Sequence, residues 1–181
     1  MLQAEIGSAR VTAGESLPTR GHLMPDLTLP SSDGKQVSLY DYRGRSNLVL
    51  FFAGSGQDSA ENQLLSALTA RYREITDTDS EVIVVVAESI GRAAEFRRKM
   101  QFPFSVLADA DMHVHNSVGA SGVQGVPAAA LNITDRFLEV FATWRTGAGE
   151  RLPDISDVLS WLTYLDSQCP ECTQIEWPSD D

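Results

Sequence analysis

Three things are scarce in this 181-residue sequence: positive charge, cysteine and long apolar runs. Lys and Arg total 14 against 25 Asp and Glu, a net charge of −11. Such a field repels phosphate backbones, so no nucleic-acid partner is expected. The basic run Arg97-Arg98-Lys99 falls at the end of a predicted helix, where cations complement the helix dipole. No apolar stretch approaches the roughly 18–20 residues of a membrane span, so no membrane partner is expected either. The longest, Leu48 to Ala53 and Val82 to Ala87, are strand-sized. Met1 to Ala13 lacks a basic start leading into an apolar stretch, and the expected compartment is the cytoplasm. Two cysteines do not make a disulfide framework for a chain this size. At 43% hydrophobic and 22% charged residues the composition is that of a folded domain and excludes a disordered chain.

Residues 1–20 mix Gly, Ser, Thr and Arg without a period and read as an N-terminal arm. The domain proper is expected over 21–167. Ser31-Ser32-Asp33-Gly34 is a turn cluster between Leu27-Thr28-Leu29 and Gln36-Val37-Ser38-Leu39, which predicts a hairpin. Asn47 to Ala53 is apolar on both faces, as in a central strand covered on both sides. After the loop Gly54-Ser55-Gly56-Gln57, Asp58 and Glu61 have capping-box spacing. Leu64, Leu65, Leu68, Tyr72 and Ile75 then form one helical stripe. Glu81 to Ala87 is a second buried strand. Ser89 caps the next helix, with Ile90, Ala93, Phe96 and Met100 inward, and Phe104 to Ala108 is a third strand. Asp109 to Val118 reads as a short helix or turn. Val126 to Ile133 and Phe137 to Trp144 read as strands joined at Thr134-Asp135-Arg136. Pro153 suits a first helical position, and Ile155, Val158, Leu159, Leu162 and Leu165 mark the last helix. Residues 168–181 form a tail.

This alternation predicts an α/β fold built on a mixed sheet. Met24 to Leu29, Asp33 to Leu39, Tyr42-Arg43-Gly44, Leu48 to Ala53, Val106 to Asp109 and Gly125-Val126-Pro127, in that order, resemble the redoxin and peroxiredoxin branch of the thioredoxin superfamily. The resemblance covers about Gly21 to Leu165. It implies a thioredoxin-like three-layer α/β/α fold with a central mixed sheet and an added N-terminal hairpin.

In that family the chemistry lies where the central strand runs into its helix, because a helix N-terminus stabilises a thiolate. The resemblance places Gly56-Gln57-Asp58-Ser59 there. Peroxiredoxins have Thr-x-x-Cys at this point and thioredoxin-like members Cys-x-x-Cys; here both cysteine positions are empty. Ser59, at the position of the reactive thiol, cannot form a sulfenic acid or a disulfide. Pro127 stands where peroxiredoxins carry an arginine, and the thioredoxin-like pattern implies a cis Val126-Pro127 bond. Gly56, Ser59 and Pro127 thus outline a degenerate site, and the ordinary peroxiredoxin mechanism is not available.

Both cysteines lie in Cys169-Pro170-Glu171-Cys172. Three readings compete: a redox pair, half of a tetrahedral zinc site (with His22, His113 or His115, or with the same pair of a second chain), and a clamp without chemistry. His113 and His115 are expected at the surface. The leading expectation is a divergent, antioxidant-type thiol–disulfide oxidoreductase acting through Cys169 and Cys172, needing no cofactor. Its partner would be a protein thiol or disulfide. The alternatives are a non-catalytic thioredoxin-fold domain that holds a peptide near Gly56, Ser59 and Pro127, and a zinc-bridged homodimer.

Overall fold

The computed structural model describes residues 18–54, 59–122, 125–146 and 151–168. A hairpin of β1 (Thr28–Pro30) and β2 (Gln36–Ser38) leads through a 3-10 turn, Leu39–Tyr42, into β3 (Asn47–Phe52). Then follow α1 (Ser59–Ala70), α2 (Tyr72–Thr76), β4 (Ser80–Val86), α3 (Ile90–Met100), β5 (Ser105–Ala108) and α4 (His113–Ser117). The chain closes with β6 (Ala130–Thr134), β7 (Val140–Arg145) and α5 (Ile155–Asp166).

The main sheet has the order β5-β4-β3-β6-β7. β4 is parallel to β3 and β5 to β4, while β6 is antiparallel to both β3 and β7. Both parallel crossovers step the same way across the sheet, and right-handed connections therefore place α1 and α3 on one face. Val49, Phe51, Val82 and Val84 pack on that face with Leu64 and Leu68 of α1, Ala93 of α3 and Val158 and Leu162 of α5. Leu48, Leu50, Phe52, Ile83 and Val85 point the other way, against Leu27, Leu29 and Leu39 of the N-terminal segment and Val114 of α4. The period-two alternation of each strand fills both cores, and every residue of β3 is buried. The fold is the mixed α/β sandwich expected, with the hairpin and α4 as its second outer layer.

Details of the expectation change. The stripe from Leu64 to Ile75 is two helices, broken at Arg71 (φ −103°, ψ 13°). The break lets Ile75 reach full burial while the Tyr72 hydroxyl donates to Glu81 at 2.6 Å. Ile90 is 41% exposed, because it opens α3 directly after the capping Ser89. Asp154 takes the N-cap of α5, so Pro153 stands just outside the helix. The closing strands begin three to four residues late. The Asp135 carboxylate accepts the N–H groups of Phe137 and Glu139, both at 2.8 Å, and Leu138 turns to φ 72°, which closes 135–139 as a loop.

Candidate functional site

β3 points its C-terminal end at the position where the family resemblance places the chemistry. The ladder to β4 continues one residue beyond the strand, Ala53 N–H donating to Val85 O at 2.8 Å. The next peptide group has left the sheet, and side chains complete it. Ala53 O accepts from the Nε2 of His115 at 3.2 Å. Gly54 N–H donates to Glu61 Oε1 at 3.0 Å. Glu61 belongs to the first turn of α1 and is 2% exposed, a carboxylate that the sequence marks only as half of a capping box with Asp58. Asp58 lies outside the described residues.

Gly54 is needed sterically. A Cβ on it would meet Ala129 N at 2.9 Å, Glu61 Oε2 at 3.1 Å and Ala128 C at 3.3 Å. The backbone just after Pro127 therefore lies against Gly54, at the C-terminal end of β3. Ser59 opens α1 and is exposed. Gly56 lies outside the described residues, as do Cys169 and Cys172.

The Val126–Pro127 bond is trans, against expectation: the described residues contain no cis peptide. The reason is a small antiparallel pairing of 120–122 with 126–128. Gly122 N–H donates to Val126 O at 2.7 Å and Ala128 N–H to Ala120 O at 2.9 Å, with Ser121 bridged to Pro127. An extended trans segment satisfies both flanking groups, and Pro127, lacking an N–H, leaves none unpaired.

The two histidines part company. Positions i and i+2 of an α-helix are about 200° apart, so α4 turns His113 to solvent and His115 inward. His115 is 0% exposed, which corrects its expected surface position. Its Nδ1 lies 2.6 Å from Asp109 Oδ2, and its ring meets Phe52 edge-on at 5.7 Å. Asp109, fully buried at the end of β5, also accepts the backbone N–H groups of Val114 (3.2 Å) and His115 (2.8 Å). Burial pushes its carboxyl upward, but the His115 ring and these N–H groups outweigh burial and hold it below the ordinary carboxylate value. Their sequence spacing gives no ligand or triad signature; the acid standing just after an apolar strand was the available sign.

A cleft of about 350 Å³ opens beside Gly54, between α1 and α3. Glu61, Glu88, Arg92, Phe96 and Lys99 are among the residues that line it, a mixed-charge wall with one aromatic patch. It lies at the C-terminal ends of β3 and β4, where open α/β sheets bind their ligands. Among the described residues no cluster of three metal-ligating side chains exists and no helix is long and apolar enough to cross a membrane. At the opposite end of the sheet Gln168, the last described residue, shares a small cavity with Asn47, the first residue of β3. From Asn47 to Ala53 the strand covers about 20 Å.

Residues 20–141 match the AhpC/TSA family. The chain is 27% identical over 118 residues to the chloroplastic peroxiredoxin Q of Oryza sativa subsp. japonica, covering 65% of this chain and 53% of that protein. It thus spans about half the length of that curated relative. Among solved structures it is similar to peroxidoxin BcpB from Mycobacterium tuberculosis (TM-score 0.72, 17% identity, 81% of this chain and 97% of that one). It is similar also to Mycobacterium bovis AhpC (TM-score 0.72, 20% identity, 90% and 99%). These structures share its thioredoxin-type fold. With the match spanning most of the described domain, from the first hairpin to β7, the chain belongs to the AhpC/TSA family.

Proposed function

We propose that this protein is an antioxidant-type redoxin that exchanges thiols for disulfides through Cys169 and Cys172. The observation that carries the reading is the placement of sulfur. The chain has two cysteines, both in Cys-Pro-Glu-Cys, while α1 opens with Ser59. One thiolate of the pair attacks a disulfide in a partner protein, forming a mixed disulfide and releasing one partner thiol. The second cysteine then displaces the other partner thiol, and the pair ends as an intramolecular disulfide. The partner gains two electrons and two protons, which the pair loses. A reducing, cytoplasmic setting suits this step, because it returns the pair to the dithiol state.

The test is a thiol count on protein purified without reductant, before and after dithiothreitol, with metal analysis of the same sample. About two thiols that appear only on reduction, and loss of disulfide reductase turnover in both Cys169→Ser and Cys172→Ser, support the reading. Full turnover in both variants refutes it, and bound zinc with free thiols replaces it by the metal-bridged dimer. The cleft beside Gly54 favours a second reading, in which the domain holds a peptide without chemistry; free thiols, no metal and no turnover would point there.

A further inference from the structure

Ala53 C=O and Gly54 N–H are the two ends of one peptide group. That group lies where β3 has run out of ladder partners, its Ala53 side buried and its Gly54 side half-buried: the pairing with β6 ends at Phe52 opposite Ala130. A peptide group withdrawn from water costs free energy wherever its donor or acceptor lacks a partner. Here each end is taken by a buried side chain from a different element. His115 of α4 holds the carbonyl at 3.2 Å, and Glu61 of α1 holds the N–H at 3.0 Å. A carbonyl oxygen only accepts, so Nε2 carries the proton it faces. The other ring nitrogen is fixed by Asp109 at 2.6 Å, which sets the plane of the ring. C=O and N–H of a trans peptide point in opposite directions, so the two side chains reach it from opposite sides.

We propose that His115 and Glu61 are positioning residues that together lock the Ala53–Gly54 peptide plane, with Asp109 as the backing of His115, and so fix the wall of the cleft and the direction in which the chain leaves β3. Both grips are needed because either alone leaves the plane free to rotate about the flanking φ and ψ. The lock does not rest on the dithiol reading: its side chains are those of His115, Glu61 and Asp109.

The test is site-resolved amide exchange on the full chain, with ring-nitrogen NMR of His115. In the unaltered protein the Gly54 amide exchanges slowly and Nε2 is protonated. Glu61→Leu and His115→Phe each speed Gly54 exchange at least tenfold, while Leu50 and Val84 inside the sheet stay protected. Glu61→Gln, which keeps the accepting oxygen, restores protection. Unchanged Gly54 exchange in both Glu61→Leu and His115→Phe overturns the proposal. If His115→Phe does not fold, the ring spectrum and Glu61→Leu decide: a bare Nε2, or a Gly54 amide indifferent to the loss of Glu61, overturns it. Cys169→Ser leaves all these readouts unmoved, so failure here and failure of the dithiol chemistry are told apart.

Discussion

Glu61 and His115 stand on opposite sides of the central strand and hold the same peptide bond, one by its N–H and the other by its carbonyl oxygen. Nothing in the local sequence links them. The link is made by β3, which ends between the first turn of α1 and the inward face of α4.

Gly54 sits on that bond and tolerates no side chain. Gly54→Ala pushes a Cβ against the fixed backbone of Ala129 and the Glu61 carboxylate, and is expected to cost about 1–3 kcal/mol, as overpacking does. Gly91 in α3 is the control, with nothing near its Cβ position. Gly91→Ala should add up to about 1 kcal/mol through helix propensity. Urea unfolding of the two variants reads both signs; equal effects would remove the steric account of Gly54.

Asp109 gives the acid limb of stability. Its carboxyl is held below the ordinary value in the folded state, so it stabilises the fold at pH values above the unfolded carboxylate pKa of about 3.9 and loses that contribution as pH falls through the lower, folded value. Asp109→Asn should cost about 1.5–3 kcal/mol at neutral pH by removing charged hydrogen bonds, and the gap to the unaltered protein should narrow below pH 4. Urea midpoints from pH 2.5 to 7 measure this; a constant gap contradicts it.

Asp135 has the reverse sign. Burial pushes its carboxyl above the ordinary value and its backbone donors only partly offset this. A raised folded pKa makes the ionised group a burden that grows as pH rises past the unfolded pKa and vanishes in acid. Asp135→Asn keeps an oxygen for the Phe137 and Glu139 N–H groups and should leave the protein as stable or slightly more stable at pH 7, with no gain at pH 3. A marked loss at pH 7 would show that the charge is needed to hold the loop.

The core sets the largest cost. Phe51 is fully buried between Val84 and Leu131 on the neighbouring strands. Phe51→Ala should lose about 3–5 kcal/mol, whereas Tyr40→Ala, at a residue 52% exposed, should stay near 0.5 kcal/mol. Thermal and urea unfolding of the pair compare the two.

The strands were the most legible part of the sequence. β3 and β4 are apolar on both faces because helices and the hairpin cover both faces, and that composition survives any detail of packing. The ends of elements were less legible. One Asp135 side chain, binding two backbone N–H groups, delays β7 and bends the register at Ile133 and Thr134, an effect no apolar period records. Pro127 shows where resemblance misleads: the trans bond follows from pairing with Ala120 and Gly122, which the Gly-Val-Pro tripeptide does not contain. Glu61 looked like a cap, and His115 looked like its neighbour His113. Their roles depend on which side chain the fold turns toward the last carbonyl of a strand.

The sheet is wide enough to keep two neighbourhoods apart. Gln168 and Asn47 share a cavity at the pole where β3 starts, and the cleft beside Gly54 lies at the pole where β3 stops. An occupant of one pole and an occupant of the other do not meet across the roughly 20 Å of strand between them. Substitutions around the Asn47 cavity and substitutions around the cleft are therefore expected to combine additively, as for distant sites in one domain.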